Sequence, residues 1–582
     1  MTEANKIFNT AIKQIPFTIN EINKIKESNK GEDWPVVYIL SDDKEAYVGE
    51  TQNAYNRMKQ HSDNPERKKL TQISLMSSDS FNKSAILDIE NMLITHMHAD
   101  GKFVLQNGNG GQSKLHNYYQ RSKYQDCFAD IWKKLKSKNM VDHELFEVQN
   151  MEIFKYSPFK QLTSTQYDLV EDLLANYIEV MNKNKHANVV VNGGAGTGKT
   201  LVAIYFVNLL VNIMNGNYDA TDDDHQYDED NFSHQHNLIK KIKEIGKKSI
   251  GFVVPVPSFK ETVKKLFKSI KELKNIDVIS PKEATGKKYD ILIVDEAHRL
   301  KRYNKLANYG EFKKGNIAVG LPETEGTELD WVRIQSNNML ILFYDPSQTV
   351  KESDVLTADF EKIKNESGCY NYNLTSQLRV KGGNEYMDFV KQIFKDNPKR
   401  YSLTDEYELK VFDDVEEMFD QIKVKNKEYR GLCRVLAGKS FPQKMQVRDR
   451  ADRVIKYDFE IDGHKYRWNE NFNDSRFINE DRYLDRVGCI YVCQGYDLNF
   501  AGVILGNDIK YNPATKKIEF DVSKFNDTNS RGRTEQETIE NIINAYVVLL
   551  TRGIYGTYIY AVDRNLRDYI RSLILSNKNQ HK

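Results

Sequence analysis

The stretch NVVVNGGAGTGKTLVAIYFVNLL, residues 188–210, decides how this chain is read. A short β-branched run, NVVV, leads into GGAGTGKT at 193–200, and an apolar helical run starts at Leu201. Gly193, Gly198, Lys199 and Thr200 fill the fixed positions of the G-x-x-x-x-G-K-[ST] phosphate loop. Its glycines, Gly196 among them, let backbone N–H groups close around phosphate oxygens. Lys199 can reach the β- and γ-phosphates and the Thr200 hydroxyl can ligate Mg²⁺, so ATP and Mg²⁺ are the cofactors this loop implies.

Further apolar runs lie downstream: IGFVVPV (250–256), YDILIVDE (289–296) and MLILFYD (339–345). Short apolar runs bounded by Gly, Pro or acidic residues predict parallel strands covered on both faces. YDILIVDE delivers Asp295 and Glu296 at a strand end. Coupled to the phosphate loop, Asp295 can hold Mg²⁺ through water while Glu296 orients and deprotonates an attacking water. Between loop and strands, residues 215–237 carry Asp222, Asp223, Asp224, Asp228, Glu229 and Asp230 among few apolar residues, which predicts a disordered acidic insertion. His225, His234 and His236 within it read as solvated.

A chain of 582 residues holds roughly three or four domains. Lys and Arg total 84 against 83 Asp and Glu, which excludes a uniformly basic nucleic-acid coat but not local patches. Five cysteines in such a length argue against a disulfide scaffold and predict reduced, buried thiols; Cys489 and Cys493 fall in a segment read as strand. The N-terminus lacks a signal-peptide core, and the longest apolar stretch, LVAIYFVNLLVNIM, is 14 residues with two Asn, too short to span a bilayer. A cytoplasmic location is expected, with no membrane partner.

Four more segments complete a pattern that resembles superfamily 1 helicases. LTSTQYDL supplies Gln166, which the resemblance assigns to adenine, and LFYDPSQ supplies Asp345 and Gln348, which it assigns to sensing the γ-phosphate. LTSQLR ends in Arg379 and VVLLTRG contains Arg552; both resemble arginines that reach ATP from a second RecA-like domain. CQGYDLNFAGVILG resembles motif V, with Gln494, Gly495 and Asp497 in its signature positions. The wording VDEAHRL, SQLR, CQGYDLNFAGVI and LLTRGIYGTYIYAVD is similar to bacterial Schlafen-group helicase-like ATPases over roughly 160–570.

The N-terminal half holds a second constellation. PVVYIL and EAYVGE flank SDDK and predict a hairpin with Tyr38 and Tyr47 on paired strands. A helix follows with Arg57 and His61 four apart, hence on one face. In AILDIENMLITHM, Ile86, Leu93, Ile94 and Met97 form a stripe that contains Glu90, a costly place for a carboxylate without a compensating partner. Asn107 comes next, and then a basic helical stretch with Lys114, Arg121, Lys123, Lys133, Lys134, Lys136 and Lys138. The set resembles the GIY-YIG nucleases, with VVY for the first signature, YVG for the second, and Arg57 ten residues after Tyr47. That resemblance implies one Mg²⁺ or Mn²⁺ on Glu90, Tyr38 as general base, and Tyr47 hydrogen-bonding nearby. It further implies Arg57 neutralising the phosphorane, His61 assisting proton transfer, and Asn107 positioning the surroundings of Glu90.

The expected architecture is α/β: a small GIY-YIG-like nuclease domain followed by two RecA-like parallel-sheet domains. Its divisions are an N-terminal helical segment (1–30), the nuclease (31–115), a basic helical connector (116–158), a first RecA-like domain (159–370) and a second (371–582). The expected function is an ATP-dependent nuclease–helicase acting on nucleic acid, DNA favoured over RNA, in bacterial anti-phage defence. Two other readings stay open at this point: an ATP-gated nuclease without processive unwinding, and a nucleic-acid-binding assembly protein whose nuclease domain is inactive.

Overall fold

The computed structural model describes residues 10–28, 30–107, 118–217, 229–306, 308–348, 352–375, 380–395, 397–441, 458–469, 476–493, 496–527, 530–532 and 534–575. Two compact units share the chain: Met1–Asn184 with Leu201–Lys248 and Lys265–Asn275, and Lys185–Thr200 with Ser249–Lys264 and Ile276–Lys582.

The first unit is built on five strands, β1 (Ala11–Pro16), β2 (Val36–Ser41), β3 (Glu45–Thr51), β4 (Gln72–Ser77) and β5 (Val104–Leu105), in the order β1-β4-β2-β3-β5. The β2–β3 turn is fixed locally, because Asp42 Oδ1 accepts from the backbone N–H groups of Lys44 (2.7 Å) and Glu45 (2.6 Å). The resulting register sets Tyr38 opposite Gly49 and Leu40 opposite Tyr47, all four on one face of the hairpin. The helix Lys83–Asp100 starts where Asn82 Oδ1 accepts from Ala85 N–H and stops at Gly101, whose φ of 74° suits glycine. Ile86, Leu93, Ile94 and Met97 are all buried along it.

Three expectations change here. Residues 1–30 were expected to be helical. Residues 1–9 lie outside the described set, Ala11–Pro16 is a strand, and only Ile19–Lys26 is helix. The polar composition of AIKQIP suits an edge strand, where Ile15 enters the core while its neighbours stay partly wet, and β4 offers the open edge. The stretch expected as a connector is a wall: the helix Arg121–Ser137 buries Tyr124, Cys127, Phe128, Ile131, Trp132 and Leu135. Two of its lysines are engaged internally, Lys134 with the carbonyl of Thr10 and with Asp130, Lys136 with the carbonyl of Asp142; Lys123 and Lys133 are exposed, and Lys114 lies outside the described residues. The acidic insertion, expected to be disordered, runs into a helix at its C-terminal end. Residues 218–228, His225 included, lie outside the described set, but Glu229–Ile245 is a helix that seats Leu238, Ile239 and Ile242 in the core beside the helix Ser164–Lys183.

The second unit holds two large sheets and two two-stranded ones. The first has six strands, β6 (Ala187–Gly193), β7 (Ile250–Val253), β8 (Asp277–Ile279), β9 (Tyr289–Val294), β10 (Ser336–Tyr344) and β11 (Tyr370–Leu374), in the order β11-β6-β10-β9-β7-β8. Every pairing is parallel. Register aligns Tyr344 with Asn192 and Leu342 with Val294, so the residues after β6, β9 and β10 emerge at one edge. β11 runs past the boundary expected at 370, because it pairs with β6. The second sheet has seven strands, ordered Glu408–Val411, Gly553–Ala561, Leu498–Leu505, Cys433–Ala437, Arg486–Gly488, His464–Trp468 and Phe459–Ile461; only the last pair is antiparallel. The segment of Cys489 and Cys493 is a helical turn, Ile490–Cys493, not a strand, since the strand ends at Gly488 and Cys493 Sγ turns back to the Ile490 carbonyl. All five cysteines are free thiols. The chain is thus α/β, with two large sheets whose strands run parallel except for one edge pair. Among the described residues, no helix is long and apolar enough to cross a membrane.

Candidate active sites

The phosphate loop leaves β6 with left-handed backbone at Gly196 (φ 79°) and Gly198 (φ 81°), conformations that an L side chain strains. Lys199 is buried, and its Nζ donates to the carbonyls of Gly193 (2.7 Å) and Gly194 (3.0 Å) and lies 3.6 Å from Asp345 Oδ2. Asp295, fully buried at the end of β9, has the Thr200 hydroxyl beside it and accepts from Glu296 N–H on Oδ1 (3.0 Å), while Oδ2 has no hydrogen-bond partner. Burial, with the charge of Glu296 second, raises the Asp295 carboxyl above the usual carboxylate range. A buried carboxylate short of a partner beside a hydroxyl ligand is what Mg²⁺ requires, so these donors fit the ion.

Glu296 sits in left-handed backbone (φ 53°), turning the chain off the strand end. Burial works to raise its carboxyl, but His298 (Nε2 to Oε2, 3.0 Å), Lys199 and Arg299 outweigh it and hold Glu296 ionised below the usual range. Gln348 Nε2 donates to Asp345 Oδ2 (2.6 Å), and Arg552, arriving from the seven-stranded sheet, donates through Nη2 to Gln348 Oε1 (3.3 Å) and through Nη1 to the Tyr496 carbonyl (3.4 Å). An unbroken polar chain thus runs from Arg552 through Gln348 and Asp345 to Lys199. Asp497, half-buried, follows Tyr496. Gln166 is buried and closes the capping box of its own helix with Thr163. Arg379, Gln494 and Gly495 lie outside the described residues.

In the first unit, Tyr38 is fully buried with its Oη 2.7 Å from His61 Nε2 and receiving Arg57 Nε–H at 3.3 Å. The Tyr47 ring is 6.2 Å from that of Tyr38 and 5.1 Å from His61, centre to centre. Burial, then the neighbouring Tyr47, pushes the Tyr38 phenol well above its ordinary value despite Arg57, and Glu90 adds to the rise. Burial, followed by the charges of Arg57 and Arg67, lowers His61 to about 3 and keeps it neutral. Glu90 is half-buried on the helix Lys83–Asp100. Asn107 is tied to β3: it accepts from Val48 N–H (2.9 Å) and donates to Val48 O (2.7 Å). Gly49 is required sterically, since a Cβ there would overlap the Tyr38 hydroxyl. Gly49→Ala therefore destabilises the protein by about 1–3 kcal/mol in denaturant unfolding.

Sequence reasoning missed His298 and Arg67. The histidine stood two residues beyond Glu296 in the quoted VDEAHRL; nothing in the spacing singled out the arginine, whose guanidinium stacks 4.0 Å from the Tyr47 ring centre.

Residues 186–563, more than half of the chain, match the family described as Schlafen group 3, DNA/RNA helicase domain. The chain belongs to the Schlafen group 3 helicase-domain family. An uncharacterised protein of Saccharomyces cerevisiae is 28% identical over 320 residues, 48% of this chain and 64% of the yeast protein. This Schlafen group 3 chain thus spans less than two thirds of the length of that curated relative. The crystal structure of the Pif1 helicase from Candida albicans aligns with 10% identity and a TM-score of 0.25, covering 71% of this chain and all of that one.

Acid sensitivity follows from burial in the first unit. His96 and His98, like His61, are lowered by burial first, each to about 4. All three stay neutral when folded but take up protons when unfolded below about pH 6.5, so their contribution is complete above that pH and lost as pH falls toward 4. Each histidine costs roughly 1.4 kcal/mol per pH unit in that window. Protection factors of amides in the helix Lys83–Asp100 should fall between pH 6.5 and 4.5, and His61→Asn should reduce that dependence.

Proposed function

We propose that the chain is an ATP-driven nucleic-acid motor joined to a metal-dependent nuclease of GIY-YIG type. The polar chain from Arg552 to Lys199 carries the motor half: it links a second-sheet arginine to the phosphate loop. Lys199 and the loop N–H groups take the ATP phosphates, with Thr200 and Asp295 holding Mg²⁺, which neutralises phosphate charge when bound. Glu296, kept ionised by its cationic neighbours, accepts the proton of the attacking water. Gln348 and Arg552 re-aim onto the γ-phosphate, so hydrolysis breaks and remakes the link between the two sheets.

In the nuclease half, water loses its proton to the Tyr38 oxygen as the Tyr38 proton passes to His61 Nε2, which is neutral and 2.7 Å away. Arg57 donates to the same oxygen and offsets charge on the phosphorane. Glu90, one carboxylate on a partly open helix face, suits Mg²⁺ or Mn²⁺ that keeps most of its waters, and the ion would polarise the scissile phosphate. The favoured substrate is DNA over RNA, and foreign phage DNA in a bacterial cytoplasm is the setting in which a cutting motor is useful.

The test is cleavage and strand displacement on DNA and RNA, with and without ATP, by the wild type and the Lys199→Ala and Glu90→Ala variants. Lys199→Ala should lower ATP hydrolysis at least 100-fold, on the order of losing one phosphate-stabilising donor, and leave ATP-independent cutting intact. Unchanged ATPase activity in that variant sinks the motor reading; unchanged cutting by Glu90→Ala sinks the nuclease site.

A further inference from the structure

The first unit carries a basic turn that the mechanism above does not use. Residues Arg67–Lys69 form one 3₁₀ turn between the helix Ala54–Asp63 and β4. Asn64 Oδ1 accepts from the N–H groups of Glu66 (2.9 Å) and Arg67 (3.2 Å), and buried Leu70 anchors the far end, so the turn is held rigidly. It carries three cations, of which Arg67 faces the cluster while Lys68 and Lys69 are exposed.

Arg67 points at the Tyr38–Tyr47–His61 cluster. Its guanidinium sits over the Tyr47 ring, 4.0 Å from the ring centre, and its charge reaches His61. Nη1 donates to Gln106 Oε1 (2.5 Å) and Nη2 to the Gln106 carbonyl (3.5 Å); the nearest carboxylate oxygen, on exposed Glu66, is 3.9 Å away. Two of five N–H donors are therefore committed, and three remain on a side chain that keeps 15% of its surface open. A half-buried cation with unspent donors, over an aromatic ring and with its carboxylate partner Glu66 held off at 3.9 Å on the surface, is arranged for an anion with several oxygens. Lys68 and Lys69 are exposed and carry no ion pair among the described residues. Arg57, on the preceding helix, donates to the Tyr38 oxygen at the same cluster.

We propose that this turn is the substrate grip of the nuclease domain: Arg67 binds a backbone phosphate next to the scissile one, and Lys68 and Lys69 bind the phosphates beyond it. The assignment rests on the nuclease reading of the Tyr38 cluster. Arg57 and Arg67 then approach the strand from two sides of Tyr47, and the rigid turn sets which phosphate is presented to Tyr38. Phosphate contacts position the strand and carry no base preference, so the grip is indifferent to sequence.

The test uses the full chain and Arg67→Gln, Arg67→Lys, Lys68→Ala/Lys69→Ala and Glu90→Gln variants, on a DNA duplex and the RNA duplex of the same sequence. Arg67→Gln should raise KM for cleavage about tenfold, with kcat held within about threefold, and should reduce the steepness of log affinity against log salt by about one unit, measured in EDTA. Arg67→Lys should restore the salt slope and only part of the KM. The double lysine variant, both positions being exposed, should flatten the slope by about two units with an unchanged melting temperature. Salt slopes and KM equal to wild type in both the Arg67→Gln and the double lysine variants overturn the grip. If Glu90→Gln cuts like wild type, or wild type cuts neither duplex, the nuclease reading fails instead, while the EDTA slopes still decide whether the turn holds phosphate.

Discussion

Arg552→Ala lowers the kcat of ATP hydrolysis by about 10³-fold, the scale set by arginines that stabilise phosphoryl-transfer transition states. Arg552 is nearly fully buried, extends from the second sheet, and reaches Gln348, 204 residues earlier in the chain. Gln348 in turn holds Asp345, which faces Lys199. Removing the guanidinium deletes charge where it builds in the transition state, so ATP affinity should change by less than about threefold while turnover collapses. Arg552→Lys keeps the charge but loses the fork that serves Gln348 and the Tyr496 carbonyl together, so it recovers only a fraction of the rate. Steady-state ATPase assays with saturating single-stranded nucleic acid check both variants. A kcat within threefold of wild type would remove Arg552 from the ATP site and leave it as a structural tie between sheets.

Glu90→Gln, nearly isosteric, abolishes metal-dependent cleavage by about 10³-fold or more, and EDTA on the wild type gives the same loss. The carboxylate is the only ligand proposed for the ion, and an amide oxygen holds a hard divalent cation far less strongly. Tyr38→Phe should cost about 10²–10⁴-fold, the range for losing a positioned proton carrier, because the His61 ring then has no hydroxyl between it and the water. Neither change should unfold the domain: Glu90 is half-buried, and the Phe ring keeps the packing over Gly49. Cleavage by Glu90→Gln at the wild-type rate in Mg²⁺ moves the metal elsewhere.

The phosphate loop was legible because its chemistry is local. Gly193 to Thr200 are contiguous, and positive φ at Gly196 and Gly198 is a property of those residues themselves. The apolar runs of β6, β9 and β10 announced strands buried on both faces, and parallel register then aligns their ends, which is why Asp295 and Asp345 meet the loop. The nuclease hairpin was legible for a similar reason, since SDDK closes through one Asp side chain. Residues 11–16 were misread because a short edge strand has no internal period strong enough to betray it; its identity comes from β4, some 60 residues on. The basic stretch after Tyr118 read as a helical connector, and only packing showed Phe128, Ile131 and Trp132 turned into the core.

By itself, the sequence determined the ATP-site loop, the acidic pair at the end of β9, the hairpin of Tyr38 and Tyr47, and the α/β class, all of which depend on neighbouring residues or on strand-scale periodicity. Tertiary structure alone decided that Arg552 meets Gln348, that His61 is buried and neutral beneath two arginines, and that Arg67 lies on Tyr47. Those are contacts between elements far apart in the chain. Side-chain type and spacing carry no record of them, because burial and direction exist only once the sheets and helices have closed around the groups.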